Sequence, residues 1–314
     1  MELVISYTGF FFCLLILGTI SGIFSERVGI VNIAINGFMV FGALMYTAIS
    51  ILMFKTSGTY GNSWNQIWLT IVAALLTAVF ALLFGFATIK LKSDQTISGF
   101  AINILSGGIT AVLILVFLKV TDSGINLSFP GRQELALAPE TSWKNLISFK
   151  LVITIIIVIA SWFALRKTRW GLRFRAIGEN PQAADVAGVN VNKAKWQGVL
   201  LAGFIAGIAG AIYAQSNISA FSITKDVQGL GFIALAIMIT SRWKVSLSII
   251  TSVFFSFLLS LSFYGVTLFG TGFQAYRDLF SMLPYIITLI IMIATSKKSV
   301  GPAAAGIPYD KSKR

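Results

Sequence analysis

Three asparagines, Asn32, Asn36 and Asn103, stand inside segments that are otherwise strongly apolar. A primary amide carries donors and an acceptor without charge, so it can read hydroxyl groups or the edge of a heterocyclic base. Polar groups at membrane depth are expensive and tend to be functional. If the segment around them is helical, Asn32 and Asn36 lie one turn apart on one face. Gly99, Asn103, Gly107 and Ala111 recur every four residues, a small-residue stripe interrupted by one amide. The structural alternative is that these amides bridge helices and the glycines form a packing face. Phe221, in the polar stretch 215–228, offers a ring on which a base could stack. Together the four residues Asn32, Asn36, Asn103 and Phe221 are the candidate solute pathway.

Several chemistries are excluded. The chain has no histidine and a single cysteine, Cys13, which removes histidine catalysis, histidine metal sites and any intrachain disulfide. All eleven acidic residues fall in hydrophilic connections or at the ends of apolar segments, so no buried proton relay is visible. A P-loop needs Gly-Lys before Ser or Thr to cradle phosphates, and the dipeptide Gly-Lys never occurs. The chain is therefore read as a transport subunit and not an enzyme. No catalytic residue, metal site or cofactor is expected in it, and any nucleotide energy must arrive through a partner.

The elements that hold these residues follow from composition. Of 314 residues 56% are hydrophobic and 11% charged, against roughly 45–50% and about 25% in soluble domains. The apolar residues come in unbroken blocks such as 151–160 and 285–294, without the period-2 alternation of barrel strands. Only helices satisfy a lipid-exposed backbone under those conditions. The fold class is all-α, a polytopic transmembrane helical bundle in the cell membrane. Spans are expected near 3–23, 28–54, 67–89, 96–118, 150–166, 196–214, 229–241, 244–264 and 280–295. That makes about nine, within a range of eight to ten. The second is long enough to be interrupted, and the seventh is short, with Gly229 and Gly231 at its start. No Lys or Arg precedes the apolar run from Leu3, so a cleaved signal is not expected and the first span is retained.

The net charge of +13 would suit nucleic acid, but in a membrane chain it has a simpler use. Nine spans place seventeen Lys and Arg on one side and seven on the other. That bias puts the N-terminus outside and the C-terminus in the cytoplasm, and no nucleic-acid partner is expected. The chain divides into a permease domain, 1–295, and a short basic tail, 296–314.

The cytoplasmic loop 166–195 is long for an inter-helix connection, which signals function. At its centre, Asn180 suits an N-cap, Pro181 the first helical position and Gly188 the C-terminal stop. A two-turn helix over 181–187 is predicted, with Ala183, Ala184 and Ala187 as a small-residue face that another protein could approach. An ordinary amphipathic loop helix is the plain alternative.

Ala-Ala, three residues, then Gly in such a loop resembles the coupling motif of ATP-binding-cassette (ABC) importer permeases. The likeness extends along the chain. Residues Ser25 to Gly37, Ile97 to Leu105, Gly171 to Pro181, Gly229 to Ala236, Met282 to Tyr285 and Gly306 to Lys311 are similar to blocks of the nucleoside and simple-sugar permeases. Those permeases share a superfamily with the ribose and branched-chain amino-acid permeases. Two departures stand out. The family pattern usually has Glu where this chain has Asn36, and Asn-Pro where Lys244-Val245 follows Trp243.

The resemblance implies a permease subunit of an importer in which ATP and Mg are bound by a partner ATPase. It further implies a second permease subunit, of the paralogous, heterodimeric kind, and an extracellular substrate-binding lipoprotein delivering a nucleoside. Glu179, Asn180, Pro181, Ala183, Ala184, Asp185 and Gly188 are carried over as the ATPase-coupling residues. A simple sugar or branched-chain amino acid is the alternative solute. A free-standing facilitator or secondary carrier is the alternative class, and the docking helix argues against it.

Overall fold

In a bilayer the backbone has no partner but itself, and the apolar blocks form helices accordingly. The computed structural model describes residues 2–57, 63–121, 135–136, 143, 145–215, 227–264, 282–283, 285–287, 289–291, 293 and 301–311. The helices are α1 (Glu2–Glu26), α2 (Ile35–Ser57), α3 (Asn65–Gly85), α4 (Gln95–Thr121), α5 (Phe149–Lys167), α6 (Arg169–Glu179), α7 (Pro181–Val186), α8 (Val191–Ala214), α9 (Leu230–Thr240) and α10 (Val245–Tyr264). A π-helical turn, Phe86–Lys90, extends α3. No strand occurs among the described residues.

Seven of these helices are long and apolar enough to cross a membrane: α1, α2, α3 with its π turn, α4, α5, α8 and α10. The seventh expected span, α9, has eleven residues. At 1.5 Å per residue it covers about 16 Å, half of a hydrocarbon core of about 30 Å. Of the ninth expected span, 280–295, the described residues 282–283, 285–287, 289–291 and 293 are helical, and the rest lies outside the described residues.

The second expected span needs correction at its start. It was expected from residue 28, but α2 begins at Ile35, and residues 27–34 form an irregular break. The cause is local. Gly29, at φ +80°, takes the left-handed conformation, its N–H donates to the Glu26 carbonyl, and the Ile30 N–H donates to the Ser25 carbonyl. This is a Schellman stop, which ends α1 three residues before the glycine.

The core sits around α1 and α8. From Phe10 to Glu26 nearly every residue of α1 is buried, so this helix stands at the centre of the bundle. α8 packs against α1, α2 and α3 at backbone distance. A Cβ on Gly42 would stand 2.6 Å from the Gly207 carbonyl oxygen, and one on Gly207 would stand 2.7 Å from Thr77. Residues 203–211 are thus a packing face, as small residues in membrane helices usually are. α4 and α5 turn long apolar side chains outward, among them Ile97, Ile104, Ile156 and Ile159, as lipid-facing helices do.

The hydrophilic connections gather at two ends. At one, Arg27 donates to the Trp243 carbonyl through Nε and Nη2 at 3.2 and 2.9 Å. There Lys92 also pairs with Asp310 at 3.3 Å. At the other, Asn145 Nδ2 donates to Ser6 Oγ at 3.2 Å, and Gln215 Nε2 donates to Thr70 Oγ1 at 2.8 Å.

Candidate functional site

The break between α1 and α2 re-enters the bundle. Ile35, at the start of α2, packs beside Gly18 and Gly22 of α1. Those glycines lie four to eight residues before the end of α1, about 6–12 Å along its axis. The short helix α9 begins at the same depth, so two helices start inside the bundle. Their free N–H groups need partners there, because each helix leaves its first donors unsatisfied.

The asparagines supply them. Asn36 Oδ1 accepts from Gly231 N–H in the first turn of α9 at 3.2 Å. The approach requires glycine, since a Cβ at Gly231 would overlap the Asn36 backbone. Asn103 of α4 serves the break twice: Oδ1 accepts from Gly37 N–H at 2.7 Å, and Nδ2 donates to the Ile33 carbonyl at 3.0 Å. Asn32 is not on a helix, so the expected one-turn spacing with Asn36 does not apply. Its Oδ1 accepts from Ala34 N–H at 3.1 Å as a local turn. Asn32 Nδ2 is buried with no hydrogen-bond partner among the described residues. A buried donor without a partner is costly, about 1–3 kcal/mol.

Gln95 was not singled out from sequence and belongs to the same set. Its Oε1 accepts from Val31 N–H at 2.6 Å. The signal for it was faint, since a glutamine just after the Asp94 cap reads as an ordinary polar residue of a first helical turn. The glycine stripe on α4 divides: Gly99 lies against Ile33 and Ala34, whereas a Cβ at Gly107 or Gly108 would meet nothing within 4 Å. Phe221 lies outside the described residues.

The connection between α5 and α8 is more built than the loop expected over 166–195, because it contains α6 as well as the predicted helix. Thr168 caps α6 by accepting from Gly171 N–H at 3.0 Å. Trp170 and Phe174 of α6 pack in a tilted pair at 4.4 Å, and Phe174 meets Phe24 of α1 edge-on at 6.1 Å. The connection is therefore anchored to the end of the central helix. Helix α7 follows at once, with Asn180 shared as a cap: Asn180 Oδ1 accepts from Ala183 N–H at 3.0 Å, and Pro181 takes the first position. Gly188, at φ +81°, ends it through Gly188 N–H to the Asp185 carbonyl and Val189 N–H to the Ala184 carbonyl, a second Schellman stop.

The expected outward face of α7 is corrected by its orientation. Pro181 and Ala184 are buried against the chain's own core, while Ala183, Val186 and Ala187 are exposed. Positions three apart share a helix face, so Ala184 goes with Pro181 and not with Ala183. Val186, 75% exposed, is the large apolar residue of the open face and was missed from sequence. Glu179 reaches Arg27 at 3.9 Å. Asp185, Gly188 and Asn190 line a shallow hollow with Tyr309 and Lys311 of the tail.

Known proteins resemble this chain along most of its length. The family model described as the permease component of the branched-chain amino acid transport system matches residues 4–292. The nucleoside ABC transporter permease protein NupC of Lactococcus lactis is 35% identical over 95% of this chain and 94% of its own. The guanosine ABC transporter permease protein NupQ of Bacillus subtilis is 32% identical over 96% of this chain and 94% of its own. A second guanosine permease of that bacterium, NupP, is 28% identical over 28% of this chain and 25% of its own. No solved structure matches.

Proposed function

The chain belongs to the family of branched-chain amino acid transport system permease components, and within it we propose that this multi-pass protein of the cell membrane moves nucleosides inward as one subunit of an ABC importer. The observation that carries the reading is the likeness to two nucleoside permeases over essentially the full length of both chains. The interior is compatible with it. Two buried helix starts, bridged by the amides of Asn36 and Asn103, form a polar node suited to an uncharged hydroxylated solute.

The remaining parts follow from what the chain lacks and what its relatives are. With no Gly-Lys dipeptide to build a P-loop, ATP and Mg bind on a partner ATPase. The end bearing α6, α7 and most of the Lys and Arg faces the cytoplasm, where that ATPase docks on the open face of α7. Bacillus subtilis carries two different guanosine permeases resembling this chain, which supports pairing with a paralogue. An extracellular binding lipoprotein delivers the solute.

The test is uptake of labelled guanosine or uridine by cells expressing the chain with its neighbouring subunits. Competition by unlabelled nucleosides, and none by ribose or leucine, is expected. Competition by ribose or leucine alone would move the assignment to another solute class.

A further inference from the structure

The tail segment 301–304 lies in a trough where three connections meet: the break after α1, the end of α6 and the turn between α9 and α10. Ala304 N–H donates to the Gly178 carbonyl, at the end of α6, at 2.8 Å. The Ala304 carbonyl oxygen would stand 3.1 Å from a Cβ on Gly29, at the head of the break. Gly301 lies on the ring of Trp243, whose Cη2 would stand 3.1 Å from a Cβ there. Trp243 in turn donates through Nε1 to Glu26 Oε2 at 2.6 Å, at the end of α1. Gly178 itself is closed in on both sides, because a Cβ would overlap the Arg27 carbonyl oxygen and lie 3.2 Å from Pro302. Pro302 and Ala304 are buried in this position.

We infer that residues 301–304 act as a clasp that positions the end of α6 against the break, so that movement of the coupling helix reaches the interior node. This rests on the importer reading above. The path is short and continuous. Helix α7 shares Asn180 with α6 as a cap, α6 ends at Gly178 under the clasp, and Arg27–Gly29 lead through the break to Asn36 and Gly231. The N–H of Ala304 ties the last turn of α6 from one side while the break lies on the other. Without the tie, the end of α6 keeps its packing of Gly178 on the Arg27 carbonyl and the Glu179–Arg27 pair, but loses the one backbone hydrogen bond, from Ala304 N–H to the Gly178 carbonyl, that closes it from the tail side. α7 and its exposed residues are untouched by the clasp, so ATPase docking and force transmission are separable.

The experiment uses the assembled importer, with both permeases, the ATPase that co-purifies with them and the binding protein, in proteoliposomes. Ala304→Pro removes the donating N–H, and Ala304→Gly keeps it. Pro302→Asp is the second variant, which puts a charge in the buried seat of Pro302 and keeps residues 305–314, with Tyr309 and Lys311 beside α7. ATP hydrolysis, guanosine uptake and retained ATPase are each measured per permease. The expected result for Ala304→Pro and Pro302→Asp is wild-type retention of the ATPase with continued hydrolysis. Uptake per ATP should fall at least about fivefold, the lower end of measured coupling effects. Ala304→Gly should stay near wild type. Unchanged uptake per ATP in both clasp variants overturns the inference, as does loss of the ATPase from either, which would make the tail a docking surface. A parallel Val186→Asp variant that retains the ATPase and couples normally would instead overturn the docking reading on which the inference stands.

Discussion

Replacing Asn103 by Ala removes the two hydrogen bonds by which α4 holds the break: Nδ2 to the Ile33 carbonyl and Gly37 N–H to Oδ1. Gly37 N–H and the Ile33 carbonyl are four residues apart, yet residues 33–34 form a turn and the two groups do not bond each other, so both depend on Asn103. Orphaned buried groups cost about 1–3 kcal/mol each, which gives roughly 2–6 kcal/mol for the pair. Measured polar contacts between membrane helices average nearer 0.6 kcal/mol, because the separated helices find other partners. That lower figure suits side chains joining two complete helices, whereas Asn103 serves irregular backbone. The expected loss is therefore above about 2 kcal/mol, or at least about 4 °C in Tm on the scale of soluble domains. Thermal denaturation in detergent measures it, with Gly107→Ala as the control on the same stripe. There a Cβ meets nothing, and a helical Gly→Ala change should raise stability by up to about 1 kcal/mol. An Asn103→Ala protein with wild-type Tm and a raised KM for guanosine would refute the reasoning, because it would show the amide to serve solute and not backbone.

On the coupling helix, Ala184→Phe should destabilise the permease itself, since the added ring enters a packed interior at a cost of about 1–3 kcal/mol. A drop in Tm in the absence of any ATPase checks this. Ala183→Trp or Val186→Asp, on the open face, should leave Tm within about 0.5 kcal/mol equivalents of wild type while the ATPase no longer co-purifies. Retention of the ATPase by both variants would remove α7 from the interface. Gly188→Val forces a β-branched residue into the left-handed region, so α7 should fray and transport should fall even though a Cβ there meets no neighbour. Reporter fusions after Ala187 and at the C-terminus should read cytoplasmic, and fusions near Asn62 and Leu127 external. An external signal at 187 would reverse the orientation.

Hydrophobicity made the bundle legible, because a block of some twenty apolar residues has one solution in lipid. It did not reveal that α2 starts inside. The segment 28–34 is as apolar as its neighbours, and only Gly29 marks the stop, through a φ that its residue type permits but does not require. The α7 caps were legible for a related reason: Asn180, Pro181 and Gly188 each satisfy backbone groups within a few residues, so local sequence determines the outcome. Which face of α7 points inward was not, since that depends on where α6 and α8 place it. The amides show the same division. Their types marked the node, yet their partners Ile33, Gly37 and Gly231 are up to 195 residues distant along the chain. This bears on Asn36, where the permease pattern that the chain resembles has Glu. A carboxylate facing the first-turn N–H of α9 would be held by the helix terminus. The neutral amide makes the same bond to Gly231 without a charge, so the node keeps its shape while its potential changes. Asn36→Glu should accordingly preserve Tm and shift solute affinity, and a variant that fails to fold would show that the close approach of Gly231 leaves no room for the longer side chain.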